Sequence, residues 1–194
     1  MHITHRAKNK QAGLAPLEKI GFTLVEVTIV AGIIITGMVA VQTAVQYGLR
    51  AATSNVDGMV AAHLAEEGLE LVRNIRDTNW AKDALWDTYM PSTSDGDYQL
   101  YYELKTTLPN VPLCSIVTCL SQPLDFDSTS GLYGYNGWGG TFSGSPSRFT
   151  RLVNISHQTA GSVIYLKVES KVLWADSMGQ RQVSLVENLY DWRP

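Results

Sequence analysis

Residues 22–45 read FTLVEVTIVAGIIITGMVAVQTAV, 24 positions with a single charge, Glu26. At about 1.5 Å of rise per residue, a helix of this length spans roughly 36 Å, enough for the hydrocarbon core of a bilayer. Upstream, residues 1–21 carry Arg6, Lys8, Lys10 and Lys19 against Glu18 alone. A basic flank is expected to stay cytoplasmic and to send the downstream chain outward. An ordinary secretory signal is cut beyond its apolar core at a small-residue A-x-A site, and residues 36–55 contain none. The apolar stretch is therefore expected to be retained.

Beyond it the chain stays favourable for helix through about Asp77. Val56, Val60, Leu64, Leu71, Val72 and Ile75 stand in i, i+4, i+7 relations and predict the buried face, with Glu66, Glu67, Glu70 and Arg73 on the wet one. No proline lies between Pro16 and Pro91, so one helix from Phe22 across both segments is allowed. Gly32, Gly37, Gly48, Gly58 and Gly68 are its weak points, each costing about 1 kcal/mol relative to alanine.

After Trp80 the composition changes to short strands between turns. Ser94, Asp95, Gly96 and Asp97 read as a turn, residues 98–105 as a strand, and residues 106–147 as mostly loop. Strands are expected over residues 148–155, 163–174 and 181–190, with turns at 159–161 and 176–179. In the middle strand Ile164, Leu166, Val168, Val172 and Trp174 share one face, and Tyr165, Lys167, Glu169 and Lys171 the other. That half-apolar sheet needs a cover, and the amphipathic helix is the one long element able to supply it. The expected fold class is α+β, a long N-terminal helix packed on a small antiparallel sheet. It divides into a basic leader at 1–21, an apolar helix at 22–45, its amphipathic continuation at 46–78, and a β-rich head at 79–194 containing the loop 106–147.

Charge and cysteine usage narrow the function classes. Removing the leader's four basic residues and one acidic residue from totals of 15 and 18 leaves 11 and 17. An acidic remainder argues against general nucleic-acid binding, which needs a dense cationic surface. Cys114 and Cys119 supply too few ligands for a closed zinc site. They form a local disulfide if the head is exported; otherwise they are two free thiols.

The segment Lys19-Ile20-Gly21-Phe22-Thr23-Leu24-Val25-Glu26 combines a basic leader, a glycine, an aromatic residue and a carboxylate just inside an apolar helix. It closely resembles the class III signal of type IV prepilins and type II secretion pseudopilins, densely over residues 19–46 and only in outline beyond. The resemblance implies cleavage after Gly21 by a membrane prepilin peptidase, which also methylates the amine of the new terminus, Phe22. It implies a type IV pilin fold, single-pass insertion in a bacterial cytoplasmic membrane with the N-terminus cytoplasmic, and then assembly into an extracellular filament with other pilin subunits and the assembly machinery. The irregular head looks more like that of a minor pilin or pseudopilin than of a major pilin. Many major pilins carry a proline about two-thirds along this helix, where the present chain has Thr43.

Glu26 is the sharpest residue, because an ionised group in hydrocarbon costs on the order of 2–3 kcal/mol. With the helix starting at Phe22, the amine freed by cleavage lies one turn away. The resemblance implies that this carboxylate attracts the terminal amine of a neighbouring subunit, the alternative being a charge that snorkels to the headgroups. Thr28, Gly32, Thr36, Ala40 and Ala44 form a stripe of small residues at intervals of four, a candidate helix-packing face.

Other apparent chemistry reads as structure. His63 and His157 sit in no nucleophile motif. The run from Asp125 lacks the glycine and glutamate of a calcium loop, having Ser130 and Asn136 there. Asp95 and Asp97 read as turn residues, and the sequon at Asn154 falls in an expected strand. The Gly/aromatic run from Gly131 to Gly140 lacks the lysine of a phosphate loop; it either packs on its own domain or meets a sugar, a surface or a sister subunit. Arg148 and Arg151 are the one hint of a cationic spot able to meet DNA. The expected function is a structural subunit with no enzyme activity, cofactor, metal or small-molecule substrate. The rival from another class is a single-pass anchor bearing an outer enzyme or receptor domain.

Overall fold

The computed structural model describes residues 21–88, 95–100, 113–136, 142–177 and 179–192. Its longest element, α1, runs Leu24–Ala81. The chain divides into two compact units, one ending at Gln46 and the other beginning at Tyr47, and α1 contributes to both.

In the first unit every described residue is exposed, including Val25, Ile29, Ile33, Ile35 and Val41. α1 is long and apolar enough to cross a membrane by length and composition. It begins at Leu24 rather than at Phe22, because Thr23 acts as its N-cap: the hydroxyl oxygen accepts from the amide of Glu26 at 3.3 Å.

The second unit is α+β. β1 (Gly96–Tyr98), β2 (Leu113–Cys114), β6 (Thr150–Ala160), β7 (Val163–Asp176) and β8 (Gly179–Tyr190) form an antiparallel sheet in the order β2-β1-β6-β7-β8. β6 outruns its expected end by five residues and turns back at Gly161, whose φ of 66° is the left-handed conformation a tight hairpin needs. Gly96 and Asp97, read as a turn, are strand: the ladder to β6 uses their backbone groups, and Asn154 donates to the Asp97 carboxylate at 2.8 Å. Residues 101–105 of the expected first strand lie outside the described residues.

The segment expected as loop holds regular structure within its described part. β3 (Asp125–Asp127) pairs with β4 (Leu132–Gly134) and β5 (Ser145–Pro146) in a second antiparallel sheet. A short helix, α2 (Ile116–Ser121), is capped by Ser115, whose hydroxyl accepts from the Thr118 amide at 3.2 Å. Cys114 and Cys119 flank that cap and form a disulfide, with Cα atoms 5.5 Å apart.

The second half of α1 covers the larger sheet through the expected face, with Leu64 and Val72 buried and Val60, Leu71 and Ile75 packed against the core. Its buried positions are Ser54, Asp57, Ala61, Leu64, Ala65, Gly68, Val72, Asn79 and Trp80, whereas Val56, assigned to the core by periodicity, is exposed. Sheet and helix approach so closely that Gly68 has no room for a Cβ: one placed there would overlap the Ser170 hydroxyl and lie 3.2 Å from both Ser170 Cβ and Val153 Cγ2. Small residues mark the closest approach, beside the large apolar Leu64 and Val72. On β7, Leu166, Val168, Ser170, Val172 and Trp174 are buried as the alternation predicts, and only Ile164, near the hairpin end, is exposed.

The core has two parts. Ala61, Leu64 and Ala65 meet Val172, Trp174, Phe149, Leu124 and Tyr135. Val72 meets Val153, Ile155, Leu166, Val168 and Leu189. α1 ends four residues beyond Asp77 in a Schellman motif. The amide of Ala84 donates to Asn79 O at 3.0 Å, that of Asp83 donates to Trp80 O at 3.2 Å, and Asp83 takes a φ of 53°.

Candidate functional site

Gly21, Phe22 and Thr23 precede α1 in non-helical backbone, and Gly21 has open space around its Cα. A peptide bond presented this way, free of helix, is the form in which a protease can bind an extended substrate. Glu26 is the third helical residue. Thr23-Leu24-Val25-Glu26 is thus a T-x-x-E capping sequence, and the carboxylate sits in the first turn, where the helix dipole favours negative charge. Sequence reasoning missed the local role of Thr23, although the S/T-x-x-E signal ahead of an apolar run was there to find it.

The later helix start changes the surroundings of Glu26. With Phe22 outside the helix, its amine is not held one turn from Glu26 by helical geometry. The carboxylate forms no ion pair with the described residues. It remains an exposed charge at the head of an apolar helix.

Thr28, Gly32, Thr36, Ala40 and Ala44 are all exposed on α1. Both threonine hydroxyls bond within the helix: Thr28 donates to Val25 O at 2.8 Å, and Thr36 to Gly32 O at 2.9 Å. Each side chain therefore turns out no unsatisfied donor, and the row presents methyl groups and bare backbone. Positions four apart advance about 40° around a helix, so the row winds as an inclined groove rather than a straight face.

In the second unit the arginines and histidines singled out above are held in internal contacts. Arg151 is fully buried, donating to Leu64 O at 3.0 Å and to Leu100 O, with Glu67 3.2 Å away. Glu67, read as part of the wet face, is thus the counter-ion of a core arginine. Arg148 donates to Asp57 at 2.7 Å. The two residues that suggested DNA contact form no cationic patch. His63 contacts Glu66 at 3.2 Å, and His157 contacts Asp95 at 3.0 Å. That contact, led by the His157 backbone amide, holds the Asp95 carboxyl below its usual range.

The aspartates of the calcium-like run stand at the two ends of β3 and bond to neighbouring loop groups. Asp127 accepts from the Ser130 hydroxyl at 2.6 Å and the Thr129 amide at 2.8 Å, which lower its pKa. Asp125 accepts from the amide of Asn136 at 3.0 Å. Of the Gly/aromatic run, Tyr135 is buried, and Asn136 ties to Gly144 through two bonds of 2.9 Å; residues 137–140 lie outside the described residues.

No protein-family model, curated protein or solved structure matches the chain. The class defined by fold and site is a chain whose N-terminal helix is long and apolar enough to cross a membrane and continues into a disulfide-containing α+β unit.

Proposed function

We propose that this chain is a structural subunit, a minor pilin or pseudopilin, of a type IV pilus or a related filament. Prepilin peptidase cuts after Gly21 and methylates Phe22. The cytoplasmic membrane then holds the subunit by α1 until the assembly machinery transfers it to the filament. The observation that carries this reading is the exposure of every described residue in the first unit. Apolar side chains such as Ile33, Ile34 and Val41 need either lipid or the helices of neighbouring subunits, and a pilin helix uses both in turn.

Glu26 supports the same reading. On this reading its carboxylate receives the methylated amine of an adjacent Phe22, an ion pair formed between subunits and strengthened by the apolar surroundings. The test is N-terminal mass spectrometry of protein from its native host, where a terminus at N-methyl-Phe22 is expected and an intact Met1 would overturn the proposal. Glu26→Ala is expected to leave cleavage intact while cutting filament incorporation at least tenfold, the effect of losing about 1.4 kcal/mol; normal incorporation would remove the assembly role.

A further inference from the structure

Phe126 on β3 stands directly opposite Tyr133 on β4 and Ser145 on β5. Opposed residues of antiparallel strands point to the same face, so Tyr133, Phe126 and Ser145 form one row across the small sheet. The two rings lie 4.8 Å apart, tilted by 44°, and Phe126 keeps 37% of its surface exposed. The Phe149 ring lies 6.1 Å from Tyr133 and is buried, so it serves as a floor. This row borders an open cleft of about 580 Å³, whose far side is formed by Asp57 and Val60 of α1 together with Arg148.

The polar part of the cleft is a fixed donor–acceptor pair. Arg148 Nη1 donates to Asp57 Oδ2 at 2.7 Å, with Asp57 largely buried and Arg148 half exposed. The remaining guanidinium N–H groups of Arg148 make no hydrogen bond with the described residues. Burial chiefly holds the Tyr133 phenol above its ordinary pKa, with Arg148 pulling it down and Asp57 pushing it up, so the hydroxyl is a neutral group lying in the field of both charges.

Those features select a ligand class. An anion would meet Asp57 and a cation Arg148, and their mutual neutralisation favours neither. A wholly apolar ligand would strip water from the ion pair with nothing in exchange. A pyranose has one face of C–H bonds to lay on an aromatic shelf and a rim of hydroxyls that both donate and accept.

We infer that this cleft is a binding site for a neutral pyranose, its C–H face on Phe126 and Tyr133 and its hydroxyls on Arg148, Asp57 and the Tyr133 phenol. The volume lies within the range of about 300–1,000 Å³ common for small-molecule sites and accommodates one or two sugar rings. Because the cleft is open, binding is weak, with Kd on the order of 1–10 mM. The inference does not depend on the filament reading.

The test is saturation-transfer NMR on the full chain in lauryldimethylamine oxide micelles, a detergent without a sugar headgroup. The probes are methyl β-D-glucopyranoside, methyl β-D-galactopyranoside and methyl α-D-mannopyranoside, with methyl β-D-glucuronide as the anionic comparison. Saturable transfer to ring C–H protons of at least one neutral glycoside is expected, with the glucuronide weaker. Phe126→Ala is expected to weaken binding about tenfold, and Tyr133→Phe, which leaves the packing intact, about threefold. If Phe126→Ala does not fold, Phe126→Leu removes the ring face while keeping apolar volume, and the same loss is expected. No saturable binding of any neutral glycoside up to roughly 20 mM by the folded protein would overturn the inference, as would binding unchanged in the variants or tighter binding of the glucuronide.

Discussion

Replacing Gly68 with alanine measures how closely α1 approaches the sheet. The added methyl meets Ser170 and Val153, with Ser170 Cβ and Val153 Cγ2 both 3.2 Å from its position and the Ser170 hydroxyl overlapping it. Ser170 and Val153 are fully buried, so neither has free space into which to move. Overpacking a close-packed core costs about 1–3 kcal/mol, while alanine in a helix interior returns about 1 kcal/mol over glycine. The net expectation is a loss of about 1 kcal/mol. The Ser170 hydroxyl has no hydrogen-bond partner among the described residues, so Ser170→Ala alone is expected to be neutral or stabilising. In the double variant, removing that oxygen should relieve the worst overlap and recover most of the loss. Urea unfolding of the detergent-solubilised full chain, followed by tryptophan fluorescence, supplies the four stabilities of the cycle. If Gly68→Ala is as stable as the parent, or if the two changes are simply additive, the close approach inferred for this contact is refuted.

Arg151→Ala should be the costliest change in the core, about 3–5 kcal/mol, because it leaves Glu67 and two carbonyls without their partner; the same urea assay checks it. At alkaline pH the Tyr135 phenol, pushed up to about 12 chiefly by burial, ionises in the unfolded chain first. Its contribution is fully present below about pH 10 and is lost as pH rises towards 12, and Tyr135→Phe should flatten that part of the stability profile. Reducing the Cys114–Cys119 bond should lower stability by about 2 kcal/mol or less, since the loop it closes is short; thermal unfolding with and without reductant reads this.

The alternation of Leu166, Val168, Val172 and Trp174 was legible because period-two burial is written directly in residue type. The same method found most of the contact face of α1, since Leu64 and Val72 are buried and Val60, Leu71 and Ile75 pack against the core, but it misplaced Val56 and passed over the small residues. Hydrophobicity points to Val56, whereas the sheet selects Ala61, Ala65 and Gly68 for their small size. β3, β4 and β5 were missed because strands of two or three residues are too short to display alternation. Arg151 was read as surface because charge usually is; its burial depends on Glu67 and two carbonyls contributed from elsewhere in the chain.

By itself the sequence determined the long helix, its apolar first half, the three main strands, and the Gly21-Phe22 junction ahead of Glu26. Those properties rest on local periodicity, an absence of proline and the order of charges along one segment. Only the tertiary structure decided how closely the helix approaches the sheet at Gly68, which charges are spent inside the core, and that Phe126, Tyr133, Asp57 and Arg148 share one cleft. These depend on shape and on partners far apart in the chain, 91 residues in the case of Asp57 and Arg148, and no local pattern encodes such a meeting.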